Sequence, residues 1–230
     1  MRRVGVVIAA GGKGVRMGGK LPKQFLLMGR RSVLETTIAR FQAFPFVREI
    51  VLAVPPLYVQ RVRDRLRRRG FAKVTTVVAG GRDRQESVWQ GLNAFVRRPD
   101  VVLVHDAVRP FVDRSLVDSV VTASRRYGAA VVGTRVRDTV KIEGRPGYYT
   151  KTLPRERLWT VQTPQGFRFD LLMKAHRAAR ESGFLGTDEA SLVERIGVQV
   201  RIVEGRETNI KITTPGDLIL ARILQKSGVV

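Results

Sequence analysis

The sequence predicts an α/β fold in which a mainly parallel, twisted sheet is covered by helices on both faces. Three observations support this prediction. Short runs rich in Val and Ile alternate along the chain with segments of helical periodicity. These runs are apolar throughout, as is typical of parallel strands that are buried on both faces. The chain has 230 residues, of which 43% are hydrophobic, so it can bury the core of one such domain. We therefore predict a single domain over residues 1–230.

Seven short apolar runs are the predicted strands. Each is rich in β-branched residues and is bounded by glycine, proline or charged residues, which end strands. The predicted strands are 3–10, 49–54, 73–78, 101–105, 129–133, 159–162 and 199–203.

Helices are predicted between these runs, where apolar residues recur every three or four positions. Ser32 is followed three residues later by Glu35, which is typical of a capping box. Thr187 and Thr214 precede acidic or proline positions and are the predicted N-caps of two later helices. The predicted helices are 32–44, 57–69, 84–95, 113–127, 168–182, 188–196 and 215–226.

One segment interrupts the alternation of strands and helices. Residues 134–157 show polar alternation without an apolar helical stripe, and they contain Gly144, Pro146 and Gly147. Turn residues between short alternating runs favour a hairpin. We predict an extended arm that projects from the domain.

A glycine-rich loop with three cations, Lys13, Arg16 and Lys23, follows the first predicted strand. Glycines lack a Cβ, so their backbone N–H groups can approach phosphates closely, and the cations neutralise the phosphate charge. Two common templates do not fit. The Walker pattern requires a hydroxyl where this chain has Leu21, and the dinucleotide fingerprint requires a third glycine where it has Met17. The loop therefore predicts a nucleotide site of another kind.

Polar segments follow most of the predicted strands. In an open α/β sheet, ligands bind beyond the carboxyl ends of the strands, so these segments are expected to meet at one edge. The segments are 11–23, 80–87, 105–111, 137–139, 163–165 and 204–206 with 209–211.

The composition excludes several classes of protein. Cysteine is absent, which excludes a disulfide framework, a thiolate nucleophile and a Cys-based metal site. No apolar run approaches the ~20 residues that span a membrane, and the first residues do not form a signal-peptide pattern. We predict a cytoplasmic protein with no membrane partner.

The net charge of +22 is compatible with nucleic acid, a membrane surface or phosphorylated substrates. Arginines crowd one predicted helix between residues 61 and 69, but no aromatic residues are interleaved there to stack on bases. We interpret this run as a solvated basic face and predict no specific nucleic-acid partner.

The motifs of the chain occur together, in this order, in one known family. They are A-A-G-G-x-G-x-R-M, P-K-Q, G-G-x-x-R-x-x-S, H-D-A-x-R-P, V-R-D-T, V-Q-T-P-Q, T-D-E-A and N-I-K-x-T. Over residues 4–220 this series resembles the 2-C-methyl-D-erythritol 4-phosphate cytidylyltransferases of the non-mevalonate isoprenoid pathway. The resemblance implies a single Rossmann-like nucleotidyltransferase domain that transfers CMP from CTP to a polyol phosphate and releases pyrophosphate. It also implies a homodimer, in which the arm at 134–157 reaches the partner's site.

Roles for individual residues are implied by the same resemblance. The implied catalytic cations are Arg16, Lys23 and Lys211. The implied nucleotide-binding residues are Ala10, Gly11, Gly12, Gly14, Gly81 and Ser87. The implied substrate-binding residues are Asp106, Arg109, Thr139, Arg155 and Thr163, of which Thr139 and Arg155 reach across the dimer. No side chain is implied as a dedicated metal ligand, and Mg²⁺ is expected on the CTP phosphates, near Asp106.

Several polar residues are expected to lie outside the chemistry. His105 is interpreted as a structural hydrogen-bonding residue, because a phosphate nucleophile needs no base. His176 is expected at the surface of its helix. Asp188 and Glu189 are interpreted as residues that cap a helix and favour its dipole, rather than as a metal pair. Arg82 stands where related sequences often carry an acidic residue, and we leave it outside the site.

Two alternatives remain at this point. The first is a transferase of the same fold that acts on another polyol phosphate, such as ribitol 5-phosphate. The second is a basic nucleic-acid-binding protein, which would leave the ordered glycine, lysine and arginine positions without a purpose.

Overall fold

The computed structural model describes residues 3–12 and 21–228, and its centre is a seven-stranded sheet. The strands are β1 Val4–Ala9, β2 Leu27–Met28, β3 Arg31–Ser32, β4 Val47–Val54, β5 Val74–Ala79, β6 Val101–Asp106, β7 Ala129–Arg135, β8 Val140–Glu143, β9 Tyr149–Leu153, β10 Trp159–Arg168 and β11 Arg201–Glu204. The α-helices are α1 Val33–Ala43, α2 Val59–Arg68, α3 Arg84–Asn93, α4 Arg114–Tyr127, α5 Phe169–Glu181, α6 Glu189–Arg195 and α7 Pro215–Ser227. All the predicted strands and helices are present, and apart from β10 their ends lie within two residues of the prediction.

The sheet is mainly parallel, as predicted. Its strand order is β11-β7-β10-β6-β1-β4-β5, and among these seven described strands only β10 runs antiparallel to its neighbours. The chain moves outward from β1 through β4 to β5, and then returns to the other side of β1 as β6. The order therefore reverses between β1 and β6, which creates a crevice beyond their carboxyl ends.

Helices cover both faces of the sheet because successive strand residues point to opposite sides. In β1, Val6 and Ile8 pack in the cluster formed with α1, α2 and α4, whereas Val7 packs in the cluster formed with α3, α5 and α6. All three side chains are fully buried. Each such side chain contributes about 1.5–3 kcal/mol through burial, so the sheet rigidly positions the loops at its edge.

Strand β10 is longer than predicted. The predicted strand ends at residue 162, whereas β10 continues to Arg168 between β6 and β7. Pro164 and Gly166 are unusual in a central strand, which misled the prediction. The pairing with β7 shifts register between Gln162 and Gln165, so the proline is left out of the ladder.

The predicted helix caps Ser32, Thr214 and Asp188 are confirmed. Ser32 and Thr214 form capping boxes with the residues three positions later. The prediction of Thr187 as a cap was wrong. Asp188 is the N-cap of α6, and its carboxylate accepts from the backbone N–H of Ser191 at 3.0 Å. A cap must directly precede the first helical residue, and here that residue is Glu189.

His176 was predicted at the surface, and this prediction was wrong. Its side chain is fully buried in α5, on the same face as Leu172 and Ala179. The spacing of these residues is the i, i+4, i+7 pattern of one helical face, which outweighs the charged neighbours in sequence. Burial lowers the pKa of His176 to about 4, so the ring is neutral at pH 7.

The basic run of α2 is only partly a solvated face. Arg61, Arg63 and Arg67 are exposed, as predicted. Arg65, in contrast, makes a two-pronged contact with the buried Glu35, with Nε to Oε1 at 2.8 Å and Nη2 to Oε2 at 3.0 Å. Arg65 therefore links α1 to α2 through an ion pair and is not part of the solvated face.

Residues 134–157 contain the predicted hairpin. Strands β8 and β9 pair antiparallel in a small sheet of their own, between the end of β7 and the start of β10. Tyr148 and Tyr149 near the tip are 60% and 66% exposed in the single chain. The arm therefore extends away from the core and presents aromatic surface.

No helix within residues 3–12 and 21–228 has the length and apolar content that a membrane span requires.

Candidate active site

A cleft of about 370 Å³ opens where the strand order reverses. Ala9 of β1 lies opposite Asp106 of β6 in the ladder, so the loops after both strands border the cleft. The predicted site residues that line it are Ala10, Gly11, Gly12, Lys23, Gly81, Ser87, Asp106 and Lys211. Arg82, which was left outside the predicted site, also lines the cleft. Segments far apart in sequence are thus brought together at the position where such folds bind ligands.

The start of the glycine-rich loop is held by Gln24, which the sequence analysis did not single out. Its buried Nε2 donates to the carbonyl oxygens of Ala10 at 2.6 Å and of Gly12 at 3.2 Å. Gln24 lies in the short 3-10 turn that begins at Lys23, so the same contacts place Lys23 beside the cleft. The predicted residues Gly14 and Arg16 lie outside the described residues.

The second wall of the cleft is organised by Ser87. Its hydroxyl accepts from the N–H of Gly81 at 3.0 Å and donates to the carbonyl of Asp83 at 2.7 Å. A Cβ on Gly11 would lie 3.0 Å from this hydroxyl, closer than ordinary packing allows. The two walls therefore approach closely because Gly11 has no side chain.

Asp106 is the central acidic residue of the site. Its Oδ2 lies 2.8 Å from Lys211 Nζ, and its Oδ1 lies 3.2 Å from Arg84 Nε. Arg109 Nε is also near, at 3.8 Å from Oδ2. Burial alone would raise the pKa of Asp106, but the charges of Arg84, Lys211 and Arg109 outweigh it and hold the pKa well below its ordinary range. Asp106 is therefore ionised and acts as an acceptor.

Thr163 and His105 hold the backbone of Asp106 in place through a chain of hydrogen bonds. The N–H of Asp106 donates to Thr163 Oγ1 at 3.0 Å, and this hydroxyl lies 3.1 Å from His105 Nδ1. His105 Nε2 lies 2.9 Å from the carbonyl oxygen of Arg109, which fixes Nε2 as the protonated nitrogen. Burial lowers the pKa of His105 to about 4. As predicted, His105 is a structural hydrogen-bonding residue.

Arg109 and Thr163, two of the predicted substrate-binding residues, do not line the cleft in the single chain. Arg109 is buried, and its Nη1 donates to the carbonyl of Asn209 at 2.7 Å. Asn209 in turn donates to Gln162 Oε1 and to the Thr163 carbonyl, both at 3.0 Å. These contacts fix the segment that carries Lys211.

Arg84 and Glu189 are two charged residues whose connection the sequence analysis missed. Arg84 Nη1 lies 2.6 Å from Glu189 Oε2, while Arg84 Nε contacts Asp106. The two residues are the arginine of the G-G-x-x-R-x-x-S motif and the glutamate of the T-D-E-A motif. Only tertiary packing joins these motifs, so neither spacing nor periodicity indicates the pair.

Thr139 and Arg155 lie on the exposed arm and do not line the cleft of their own chain. Arg155 Nη1 donates to the carbonyl of Arg137 at 2.7 Å, within the arm. Within a single chain, these two predicted site residues therefore remain apart from the cleft.

Comparison with known proteins assigns the family. The family model for IspD, 2-C-methyl-D-erythritol 4-phosphate cytidylyltransferase, matches residues 4–227. A protein of that name from Syntrophus aciditrophicus is 43% identical over 225 residues, which cover 97% of this chain and 96% of the relative. A bifunctional IspD/IspF enzyme from Desulforudis audaxviator is 48% identical over 97% of this chain and 57% of its own length.

Solved structures agree with this assignment. The 2-C-methyl-D-erythritol 4-phosphate cytidylyltransferase of Thermus thermophilus superimposes with a TM-score of 0.81 at 40% identity, covering 96% of this chain and 98% of the other. The 4-diphosphocytidyl-2C-methyl-D-erythritol synthase of Anaerococcus prevotii gives a TM-score of 0.84 at 30% identity, covering 98% and 99%. The fold, the cleft and these matches together establish that the chain belongs to the 2-C-methyl-D-erythritol 4-phosphate cytidylyltransferase family.

Proposed function

We propose that this chain transfers CMP from CTP to 2-C-methyl-D-erythritol 4-phosphate, forming 4-diphosphocytidyl-2-C-methyl-D-erythritol and pyrophosphate. Family membership supports the reaction. The observation that carries it at the level of the site is the meeting of Lys23, Lys211 and Asp106 with the glycine loop in one cleft. Such a site offers cations for phosphates and a carboxylate for hydroxyl groups.

The reaction needs no protein base. A phosphate oxygen of the polyol phosphate attacks the α-phosphorus of CTP, and the bond from that phosphorus to the β-phosphate oxygen breaks. The nucleophile is largely ionised at neutral pH, since its second pKa is about 6. The buried, neutral His105 is accordingly occupied in hydrogen bonds rather than facing the cleft. The barrier lies in bringing polyanions together, which positioned cations lower.

Cations and carboxylate take separate roles in this scheme. Lys23 and Lys211, together with Arg16 of the undescribed loop segment, bind the triphosphate and stabilise charge in the transition state. Asp106 accepts hydrogen bonds from the hydroxyl groups of the polyol. Because Lys211 contacts Asp106 at 2.8 Å, it joins the nucleotide part of the cleft to the polyol part.

The base pocket is proposed to select pyrimidines by size. Ala10, Gly11 and Gly81 have small side chains or none, which leaves room for a base in the cleft. The close approach of the two walls at Ser87 limits the size of that base. A purine would need more room than a pyrimidine at this narrow point.

Magnesium fits this site as an ion that arrives on CTP. The described residues contain no group of three or more His, Cys, Asp or Glu side chains that could hold a metal. Asp83 and Asp106 both line the cleft, and Asp106, which lies beside Lys211, could supply one oxygen. Mg²⁺ usually keeps water and phosphate oxygens as most of its ligands, and when bound it neutralises phosphate charge.

The arm is proposed to complete the site of a second subunit. Thr139 and Arg155 lie away from their own cleft, on a hairpin whose aromatic side chains are exposed in the single chain. In a twofold dimer with exchanged arms, each arm would reach its partner's cleft and bring these residues to the substrate phosphate.

A substrate panel tests the proposed function. Pyrophosphate release is measured with CTP and Mg²⁺ and with 2-C-methyl-D-erythritol 4-phosphate or ribitol 5-phosphate, and then with ATP or GTP in place of CTP. We expect release with CTP and methylerythritol phosphate, and much weaker use of purine nucleotides. A clear preference for ribitol 5-phosphate, or equal turnover of purine triphosphates, would overturn the proposal.

A further inference from the structure

An ion pair between the half-buried Arg84 and the buried Glu189 lies next to the proposed polyol-binding carboxylate and has no role in the proposed reaction. Arg84, the first residue of α3, bridges two carboxylates that come from opposite sides. Its Nε lies 3.2 Å from Asp106 Oδ1 at the end of β6, and its Nη1 lies 2.6 Å from Glu189 Oε2 at the start of α6. With Lys211 on Asp106 Oδ2, the four side chains form a row of alternating charge.

The burial of Glu189 opposes its ionisation. The side chain is 1% exposed, and its Oε1 has no hydrogen-bond partner among the described residues. A buried carboxylate is tolerated when a cation compensates it, and Arg84 is the cation in contact here. Burial raises the pKa of Glu189, and the positive charge of Arg84 opposes that change.

Capping does not account for Glu189. The N-cap of α6 is Asp188, whose side chain accepts from Ser191 N at 3.0 Å. The Glu189 carboxylate instead contacts Arg84, which also lines the cleft. Without Glu189, the guanidinium would keep only the longer contact to Asp106 and would hold that carboxylate less firmly.

We propose that Glu189 is a positioning residue that acts through Arg84 to fix the Asp106 carboxylate for the hydroxyl groups of the polyol phosphate. This role rests on the proposed function of Asp106. Glu189 holds the Arg84 guanidinium, which in turn contacts Oδ1 of Asp106. Lys211 contacts Oδ2, so both carboxylate oxygens of Asp106 are held in place. Glu189 therefore determines affinity for the polyol phosphate and leaves CTP binding unchanged.

The test uses Glu189→Gln in the full chain, since glutamine keeps the size of the side chain but removes its charge. We expect KM for methylerythritol phosphate to rise about tenfold. Losses of this size are seen at metal sites when a residue that orients a metal-binding side chain is replaced. KM for CTP and kcat should stay within about twofold. Glu194→Gln, at an exposed position of the same helix, is the matched control and should leave all three parameters unchanged.

A double-mutant cycle shows whether the effect passes through Asp106. In an Asp106→Asn background, Glu189→Gln should raise KM for the polyol phosphate no further. An equal, independent rise in that background, or a parallel rise of KM for CTP, would show that Glu189 only supports the fold and would overturn the proposal. An unchanged KM in Glu189→Gln alone would do the same.

A second variant keeps the proposal testable if Glu189→Gln does not fold. Arg84→Lys preserves the cation but cannot contact both carboxylates through a planar fork. It should raise KM for the polyol phosphate selectively, and a lack of selectivity would count against the proposed role. A wild-type chain that releases no pyrophosphate with any polyol phosphate would instead refute the proposed function itself, so the two failures are distinguishable.

Discussion

Charge balance around Asp106 explains how one carboxylate can lie in a site for polyanions. Lys211, Arg84 and Arg109 surround Asp106. Glu189 compensates the charge of Arg84. Lys23 adds a further cation to the lining of the cleft. The cluster therefore remains positive overall, which favours triphosphate binding, while Asp106 still presents acceptor oxygens.

Removing a lysine from the cleft should slow catalysis more than it weakens nucleotide binding. We expect Lys23→Ala and Lys211→Ala each to lower kcat by roughly 10²–10³, because a positioned charge acts mainly on the transition state. Arg16→Ala is expected to behave in the same way. Steady-state kinetics with CTP varied provides the measurement, and Lys174→Ala, at an exposed position of α5, is the control. A raised KM at unchanged kcat would identify the replaced residue as a ground-state anchor.

The two buried histidines should make the fold sensitive to mild acid. The pKa of each is lowered from 6.5 to about 4, principally by burial. The unfolded chain binds protons more readily between these values, so stability is complete above about pH 6.5 and falls as the pH drops toward 4. At pH 4.5 each histidine should cost on the order of 2–3 kcal/mol relative to pH 7.

Urea unfolding at pH 7 and pH 4.5 measures this loss, and His176→Phe separates one histidine from the other titrating groups. The variant should lose less stability between the two pH values than the wild type does. Glu189, whose pKa is raised by burial, acts in the opposite direction in both proteins and therefore does not affect the comparison. An identical pH dependence of the two proteins would contradict the assignment of a neutral, buried His176.

Residues at strand ends could be predicted from the sequence, whereas long-range pairs could not. Ala10, Ser87 and Asp106 line the cleft as expected because their motifs directly follow strands. The pairing of Arg84 with Glu189 joins positions 105 residues apart, and its partners are decided only by the packing of α3 and α6. Gln24 was missed for a different reason, since it holds backbone carbonyls rather than a partner side chain that a motif could indicate.

At the scale of elements, hydrophobic periodicity predicted almost every helix and strand. The errors occurred where proline or glycine lies within a strand and where strands are very short. β10 was cut short because Pro164 and Gly166 normally end a strand, yet a local shift in register accommodates them. The short hairpin of β2 and β3 was not predicted, since two-residue strands carry no period. Its turn contains Gly29 at a φ of 68°, a conformation that favours glycine.

The capping box of α1 provides a test at this scale. Ser32→Ala removes the side-chain acceptor for Glu35 N, at 3.2 Å, and should lower the free energy of unfolding by about 1 kcal/mol. Ser119→Ala, at an exposed site within α4, is the control and should be close to neutral. Urea denaturation measures both, and equal stability of Ser32→Ala and wild type would show that the box contributes nothing.

At the scale of the whole molecule, total charge was a poor guide to partners. The sequence carries 42 Lys and Arg against 20 Asp and Glu. The structure assigns some of these cations to internal ion pairs, such as Arg65 with Glu35, and others to the cleft. The distribution of charge, which only the fold fixes, separates these roles.

The exchanged-arm dimer predicts recovery of activity in mixed subunits. Lys23→Ala and Arg155→Ala chains, each nearly inactive alone, are unfolded, mixed equally and refolded together. In a mixed dimer one site receives both substitutions and the other receives neither. With random pairing half of the dimers are mixed, so activity should recover to roughly a quarter of wild type. Failure to recover, although mixed dimers are shown to form, would place Arg155 at its own chain's site or at none.

Following the transferred atoms is the most direct test of the proposed reaction. Methylerythritol phosphate labelled with ¹⁸O in its phosphate group is incubated with CTP, Mg²⁺ and the protein, and the products are analysed by ³¹P NMR. We expect a diphosphate product in which ¹⁸O bridges the two phosphorus atoms, formed together with an equal amount of unlabelled pyrophosphate. Label in the pyrophosphate, or a CMP phosphorus without a bridging ¹⁸O, would contradict attack by the polyol phosphate on the α-phosphorus of CTP.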